Sequence, residues 1–112
     1  MKSQPKTRAL WVGRIEVRSP QPENKILEGT KGAFVDIVTW ATDPEEFRRN
    51  AELVLGKLDL FIAGLDNLEP IEIREKRSRG LTEEIEEMVS RAQNNPHAII
   101  YGTFHTYEKD DS

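Results

Sequence analysis

The sequence predicts an α+β fold, a two-layer α/β sandwich with two helices on one face of an antiparallel or mixed sheet. Two segments predict the helices, because each carries apolar residues at offsets 0, 4, 7, 8 and 11, which form one stripe along a helix. Five further segments have the alternation or apolar content of strands. Their order predicts a ferredoxin-like βαββαβ unit preceded by an extra N-terminal strand. The alternative is the same set of elements in a different strand order.

The first two strands are predicted at residues 9–17 and 33–41. The first alternates apolar and charged side chains, as a half-buried strand requires. The second is apolar on both parities except at Asp36 and Thr39, which is typical of a central strand. Between the two strands, residues 19–32 carry prolines and glycines that predict a long irregular connection.

Both helices have clear start signals. Asp43 can cap the first helix and Pro44 suits its first turn, whereas Thr82 caps the second, which ends before Pro96. Because the two apolar stripes have the same spacing, we expect both helices to lie on the same sheet face. The stripes are Phe47, Ala51, Val54, Leu55 and Leu58 in the first helix, and Leu81, Ile85, Met88, Val89 and Ala92 in the second.

Three more strands complete the prediction. They are residues 58–65, a short alternating segment at 68–73 that Pro70 keeps near an edge, and residues 97–107. The basic run at 74–79 is predicted to be a solvated connection before the second helix.

Length and composition indicate the class of protein. A chain of 112 residues predicts a single domain over 1–112, and we expect residues 1–7 and 108–112 to be flexible ends. No apolar stretch approaches the ~20 residues of a membrane span and no export signal is visible, so we expect a cytoplasmic protein with no membrane partner. The net charge of −4 argues against a general nucleic-acid binder, and the absence of cysteine excludes disulfides and thiolate chemistry.

The candidate site residues form a surface for a ligand or a partner. Asp36 is a carboxylate within an apolar strand: if buried it could act as a general acid or base, and if exposed it could pair with Arg14 or Arg18 of a neighbouring strand. His105 shares its parity with two tyrosines, which gives one sheet face a polar and aromatic character. Trp40 is either a core residue or an interface anchor. The full candidate set is Asp36, His105, Tyr101, Tyr107, Trp40 and Arg14.

No metal, cofactor or catalytic residue is predicted. His97 and His105 would lie ~26 Å apart in a straight strand, and no motif with metal-ligand spacing completes a site. The four glutamates that open the second helix are typical partners of the helix dipole.

Two functions remain from different classes. The first is a non-catalytic interaction or regulatory protein, such as a small bacterial adaptor or an immunity-type inhibitor, which binds through an open sheet face or an edge strand and is simplest as a homodimer. The second is a small-molecule-binding domain or small enzyme, with a pocket between the open face and the 19–32 connection. RNA binding through the aromatic face ranks last because of the acidic net charge.

Overall fold

The computed structural model describes residues 7–21 and 23–108. Strands β1 (Ala9–Arg18) and β2 (Gly32–Ala41) lie at the centre of its sheet and pair in one unbroken antiparallel register. Strand β3 (Phe61–Pro70) pairs with β1 on one edge, and β4 (Ile99–Tyr101) and β5 (His105–Tyr107) both pair with β2 on the other. All four pairings are antiparallel, and the order is β3-β1-β2 followed by β4 and β5.

Three helices complete the described fold: α1 (Pro44–Gly56), α2 (Ile71–Ser78) and α3 (Glu83–Gln93). The predicted start signals of α1 and α3 are confirmed. The side chain of Asp43 accepts a hydrogen bond from the Glu46 amide, and that of Thr82 accepts one from the Ile85 amide. The α+β class and the antiparallel sheet are therefore confirmed, whereas the strand order and the helix placement differ from the ferredoxin-like arrangement.

The predicted placement of both helices on one sheet face is wrong. Helix α1 packs on one face against Ile15, Val35 and Ile37, whereas α3 packs on the other against Val12 and Val38. Each face therefore has its own core, and successive residues of β1 and β2 contribute to the two cores in turn. The stripe spacing shows that a helix buries one side, but it does not specify which side of the sheet receives it.

Gly13 allows α1 to approach β1 closely. A Cβ atom at this position would lie 2.9 Å from Cζ of Phe47 and 3.2 Å from Cδ1 of Leu68. Since both neighbours belong to the packed side of the sheet facing α1, a larger residue would force Phe47 out of place.

The predicted short strand at 68–73 is also wrong. Residues 68–70 are the end of β3, and α2 begins directly at Ile71, so most of the basic run is helical rather than a connection. Glu69 explains this, because its carboxylate accepts hydrogen bonds from Arg74 and Arg77, which a helix brings round to the end of β3. This contact between β3 and α2 overrides the local alternation of Leu68, Ile71 and Ile73.

The predicted last strand at 97–107 is interrupted. In β4, Tyr101 pairs with Ile37, and in β5, His105 pairs with Phe34, so the three residues 102–104 on this edge lie opposite the two residues 35–36 of β2. The one extra residue reverses the side-chain alternation between β4 and β5.

The 19–31 connection packs on the α1 side of the sheet. Leu27 is buried in the core under α1, and the amide of Asn24 donates to the carbonyl oxygens of Leu58 and Asp59 at 2.8 and 3.3 Å. This connection is therefore anchored on the face opposite to α3.

The predicted flexible ends fall almost entirely on residues 1–6 and 109–112, outside the described part of the chain. Among the helices that are described, none has the length and apolarity needed to cross a bilayer.

Candidate functional site: the open half of the α3 face

Helices α2 and α3 cover only one end of their sheet face. They contact Leu10, Val12 and Val38, but the side chains that follow at the same parity toward the other end are exposed or half-buried. We call this uncovered part the open half-face. Strand pairing assigns to it Arg14, Glu16 and Arg18 of β1, Phe34 and Asp36 of β2, Phe61 and Asp66 of β3, and His105 and Tyr107 of β5.

Asp36 lies where the covered and uncovered parts of this face meet. Arg14 is its direct partner on β1, and Arg74 of α2, Glu84 of α3 and His105 of β5 are close enough to act on its charge. Burial raises the pKa of the Asp36 carboxyl, and the attraction of the two arginines opposes this rise. A half-buried carboxylate in a mixed cluster of charges is therefore the chemical centre of the open half-face.

Phe34 is an exposed apolar side chain beside this cluster, with 36% of its area exposed. The guanidinium carbon of Arg14 lies 5.5 Å from the centre of its ring, within cation–π range. The ring centres of Phe34 and Tyr107 are 5.4 Å apart with a tilt of 38°. The side chains of Arg14 and Tyr107 thus flank the Phe34 ring without covering it.

Tyr107 is fixed by a hydrogen-bonded network with two charged residues of β1. Its hydroxyl donates to Oε2 of Glu16 and accepts from Nε of Arg18 at 3.3 Å, and Arg18 also donates to Glu16 at 3.3 Å. Burial, followed by the hydrogen bond to Glu16, raises the pKa of the Tyr107 hydroxyl. Gly32 makes room for this ring, because a Cβ there would lie 2.5 Å from the Tyr107 oxygen.

Glu84 connects α3 to the interrupted edge strand. Its Oε2 accepts a hydrogen bond of 2.8 Å from the Thr103 amide, and the hydrogen bonds to Thr103 lower its pKa. A Cβ at Gly102 would lie 2.9 Å from the same oxygen, so glycine permits this contact. The amide of Gly102 in turn donates to the carbonyl oxygen of Asp36 at 3.0 Å. The interrupted segment is therefore hydrogen-bonded both to Glu84 of α3 and to the backbone of Asp36.

The structure brings together four of the six predicted site residues: Arg14, Asp36, His105 and Tyr107. Trp40 lies at the covered end of the face, half-buried in the core under α3, where its Nε1 donates to the Ala92 carbonyl oxygen at 2.8 Å. Tyr101 lies on the opposite face, beside Phe104, because of the extra residue between β4 and β5. The prediction that Tyr101 shares a face with His105 is therefore wrong.

Sequence reasoning missed Phe34, Phe61, Arg74 and Glu84. Phe34 can be assigned to the same face as Asp36 from the sequence, because the two residues are two positions apart in one strand. The contributions of Arg74 and Glu84 had no such signal, since they depend on helices crossing to this face.

The open half-face offers binding chemistry rather than a metal centre. Within residues 7–21 and 23–108, no group of three or more His, Cys, Asp or Glu side chains is placed to hold a metal ion. The chemistry present is three aromatic rings, two arginines, a histidine and carboxylates on the sheet surface.

Comparison of the chain with protein-family models, with curated proteins and with solved structures finds no match.

Proposed function

We propose that this protein is a non-catalytic interaction or regulatory protein that binds a protein partner through the open half-face. In its simplest form the partner is a second copy of the chain. The observation that carries this proposal is the exposed ring of Phe34, held in place by Arg14 and Tyr107 on a rigid sheet. Aromatic residues and arginine are enriched at the centres of protein interfaces, where a fixed ring loses little entropy on binding.

The charges of this surface support self-association. Arg14 and Arg18 are positive, whereas Glu16, Asp36 and Asp66 are negative, and the two signs alternate across neighbouring strands. In a two-fold dimer the same patch faces itself, so it must carry both signs to be complementary.

The edges of the sheet favour docking through the face over strand addition. Between the pairs Val12↔Glu69 and Arg14↔Asp66, β3 advances three residues while β1 advances two, and a second shift follows after Glu16. The opposite edge is interrupted between β4 and β5. Such bulges bend an edge away from a new strand.

Sedimentation equilibrium of purified protein tests this proposal. We expect a dimer that Phe34→Ser weakens by about 30-fold in Kd, as for a central interface residue. Leu53→Ser is the matched control, because Leu53 is 57% exposed on α1, on the opposite side of the sheet. A wild-type protein that remains monomeric at high concentration, or equal weakening by both substitutions, would contradict self-association through this surface.

A small-molecule site around Asp36 is the second candidate function. The observation that favours it is that Asp36 and His105 lie on the same face of the sheet. On that face Arg14 of β1 lies between Asp36 of β2 and Asp66 of β3. Native mass spectrometry separates the two functions. A monomer that carries a reproducible additional mass, which Asp36→Asn abolishes while the protein stays folded, would favour the ligand site over the protein interface.

A further inference from the structure

A second surface feature lies at the covered end of the same sheet face. It is a groove of about 480 Å³ between α2, α3 and the sheet, within the size range of small-ligand sites. Its floor is apolar and includes Leu10, Ile71 and Val89, beside the half-buried indole of Trp40. These three are the most exposed of the buried hydrophobic residues, at 9%, 9% and 8%. The core on the α3 face of the sheet is therefore incompletely covered at this groove.

The two carboxylates on the rim come from α2. Glu72 and Glu75 are three positions apart, so their side chains are neighbours on one side of the helix. Both are exposed, and neither forms a hydrogen bond or ion pair through its side chain with another described residue. One cation placed over the groove could therefore reach both carboxylates.

The basic residue that lines the groove is already engaged. Arg8 donates to the carbonyl oxygen of Trp40 at 3.3 Å. It also adds to the lowering of the Glu46 pKa, which is caused first by the hydrogen bond from the Thr42 amide. A hydrogen bond to a neutral carbonyl leaves the guanidinium charge of Arg8 in place, so the groove carries two negative charges against one positive charge, and Glu72 and Glu75 set its sign.

We propose that this groove binds a small organic cation with an apolar body, such as an arylalkyl ammonium ion. The apolar part would lie on the floor beside the Trp40 indole, and the ammonium group would face Glu72 and Glu75. Burial of the apolar part supplies most of the affinity, because ion pairs with exposed carboxylates are weak. The carboxylates supply the selection for a positive charge.

Three probes of similar shape test the selection: phenethylammonium, neutral phenethyl alcohol and the anion hydrocinnamate. Each is titrated into the whole protein, and the indole N–H signals of its two tryptophans are followed by NMR. Trp40 lines the groove, whereas Trp11 packs against the core on the α1 face and serves as an internal control. We expect the Trp40 signal to shift and the Trp11 signal to stay, with the cation binding about three- to tenfold more tightly than the alcohol and the anion most weakly.

Matched charge variants complete the test. The double substitution Glu72→Gln and Glu75→Gln should remove the preference for the cation and leave binding of the alcohol unchanged. Glu83→Gln with Glu86→Gln is the control, because these exposed residues have the same spacing in the first turns of α3. Three results would overturn the proposal: no shift of Trp40 with any probe, binding of the anion as tight as that of the cation, or a preference that survives the first pair of substitutions.

Discussion

Asp36 is a residue whose position opposes stability. Its carboxyl is half-buried between strands, and this burial raises its pKa even though Arg14 and Arg74 are close. A group with a raised pKa in the folded state favours folding in its protonated form, and this contribution is lost as the pH rises through the folded pKa. Near neutral pH the charged carboxylate therefore costs free energy. Groups kept at such positions are often functional.

The substitution Asp36→Asn should therefore increase the free energy of unfolding at about pH 7 and leave it nearly unchanged at about pH 3. Urea denaturation at both pH values checks this, in a Phe34→Ser background so that association does not contribute. Asp66→Asn is the control, because it removes the same charge from an exposed position on the same surface. A loss of stability at neutral pH would mean that Asp36 is mainly a structural partner of the arginines.

Individual site residues were predictable where the strands are regular. Asp36 and Arg14 were identified because a polar residue in an apolar strand and a charged residue of the adjacent strand are both visible in the alternation. Tyr101 was misplaced because the one extra residue between β4 and β5 reverses the alternation, and its one local signal is Gly102, an isolated glycine within the strand pattern. The sequence does not decide between a core and an interface role for Trp40, and the hydrogen bond of its indole to Ala92 gives it a packing role.

Among the elements, α2 is held mainly by the polar contacts of its arginines, with Glu69 and with the carbonyl oxygen of Asn67. Ile71 is its one buried residue, so little apolar packing holds it. Glu69, at the end of β3, accepts hydrogen bonds from Arg74 and Arg77, and the two arginines lower the pKa of its carboxyl to about 2. A lowered pKa stabilises the fold above the ordinary value of 4.5, and this contribution is lost as the pH falls toward 2.

We expect Glu69→Gln to release α2. Hydrogen exchange measured by mass spectrometry should become about fivefold faster in the amides of α2 at neutral pH, while α1 and α3 change little. The wild-type protein should show the same local loss when the pH is lowered from about 5 to about 2. Glu75→Gln removes a charge from α2 without removing an ion pair, and it should leave the exchange unchanged. Equal acceleration in all three helices would contradict a local role for Glu69.

The sequence predicted elements well where local signals and packing agree. Helices α1 and α3 begin at the expected caps and bury the expected stripes. The failure at 68–73 has a physical cause, because the alternation of Leu68, Ile71 and Ile73 fits a strand while the contacts of Glu69 stabilise a helix. The apolar content of both parities of β2 predicts a central strand, and it also indicates that other elements pack on both faces of the sheet.

At the scale of the whole molecule, two cores share one sheet. Strands β1 and β2 contribute alternate residues to each core, so neither core can be lost without exposing the backs of the same strands. This arrangement favours one cooperative unfolding transition over two separate ones.

The substitution Met88→Ala tests this cooperativity, because it destabilises the core on the α3 face of the sheet. Met88 is 3% exposed, and its truncation should cost about 2–5 kcal/mol. Fluorine NMR of fluorotryptophan-labelled protein in urea reports both cores, since Trp11 packs against the first and Trp40 against the second. We expect both signals to move to the same lower midpoint. Leu53→Ala, at an exposed position, should have little effect, and loss of the Trp40 signal before that of Trp11 would indicate independent cores.

The extra residue between β4 and β5 has a consequence for how this surface can change over evolutionary time. In a continuous register, Phe104 would stand opposite Phe34 and Thr106 would follow it toward the end of the edge. An insertion of one codon here that keeps a single extra residue would therefore replace the histidine and the tyrosine by Phe104 and Thr106 in a single event, whereas a deletion of one codon would make the register continuous and leave His105 and Tyr107 in place. The β5 residues of the open half-face can thus be exchanged together by a change in the length of the chain between β4 and β5. Its residues on β1 and β2 can change only by substitution, one side chain at a time.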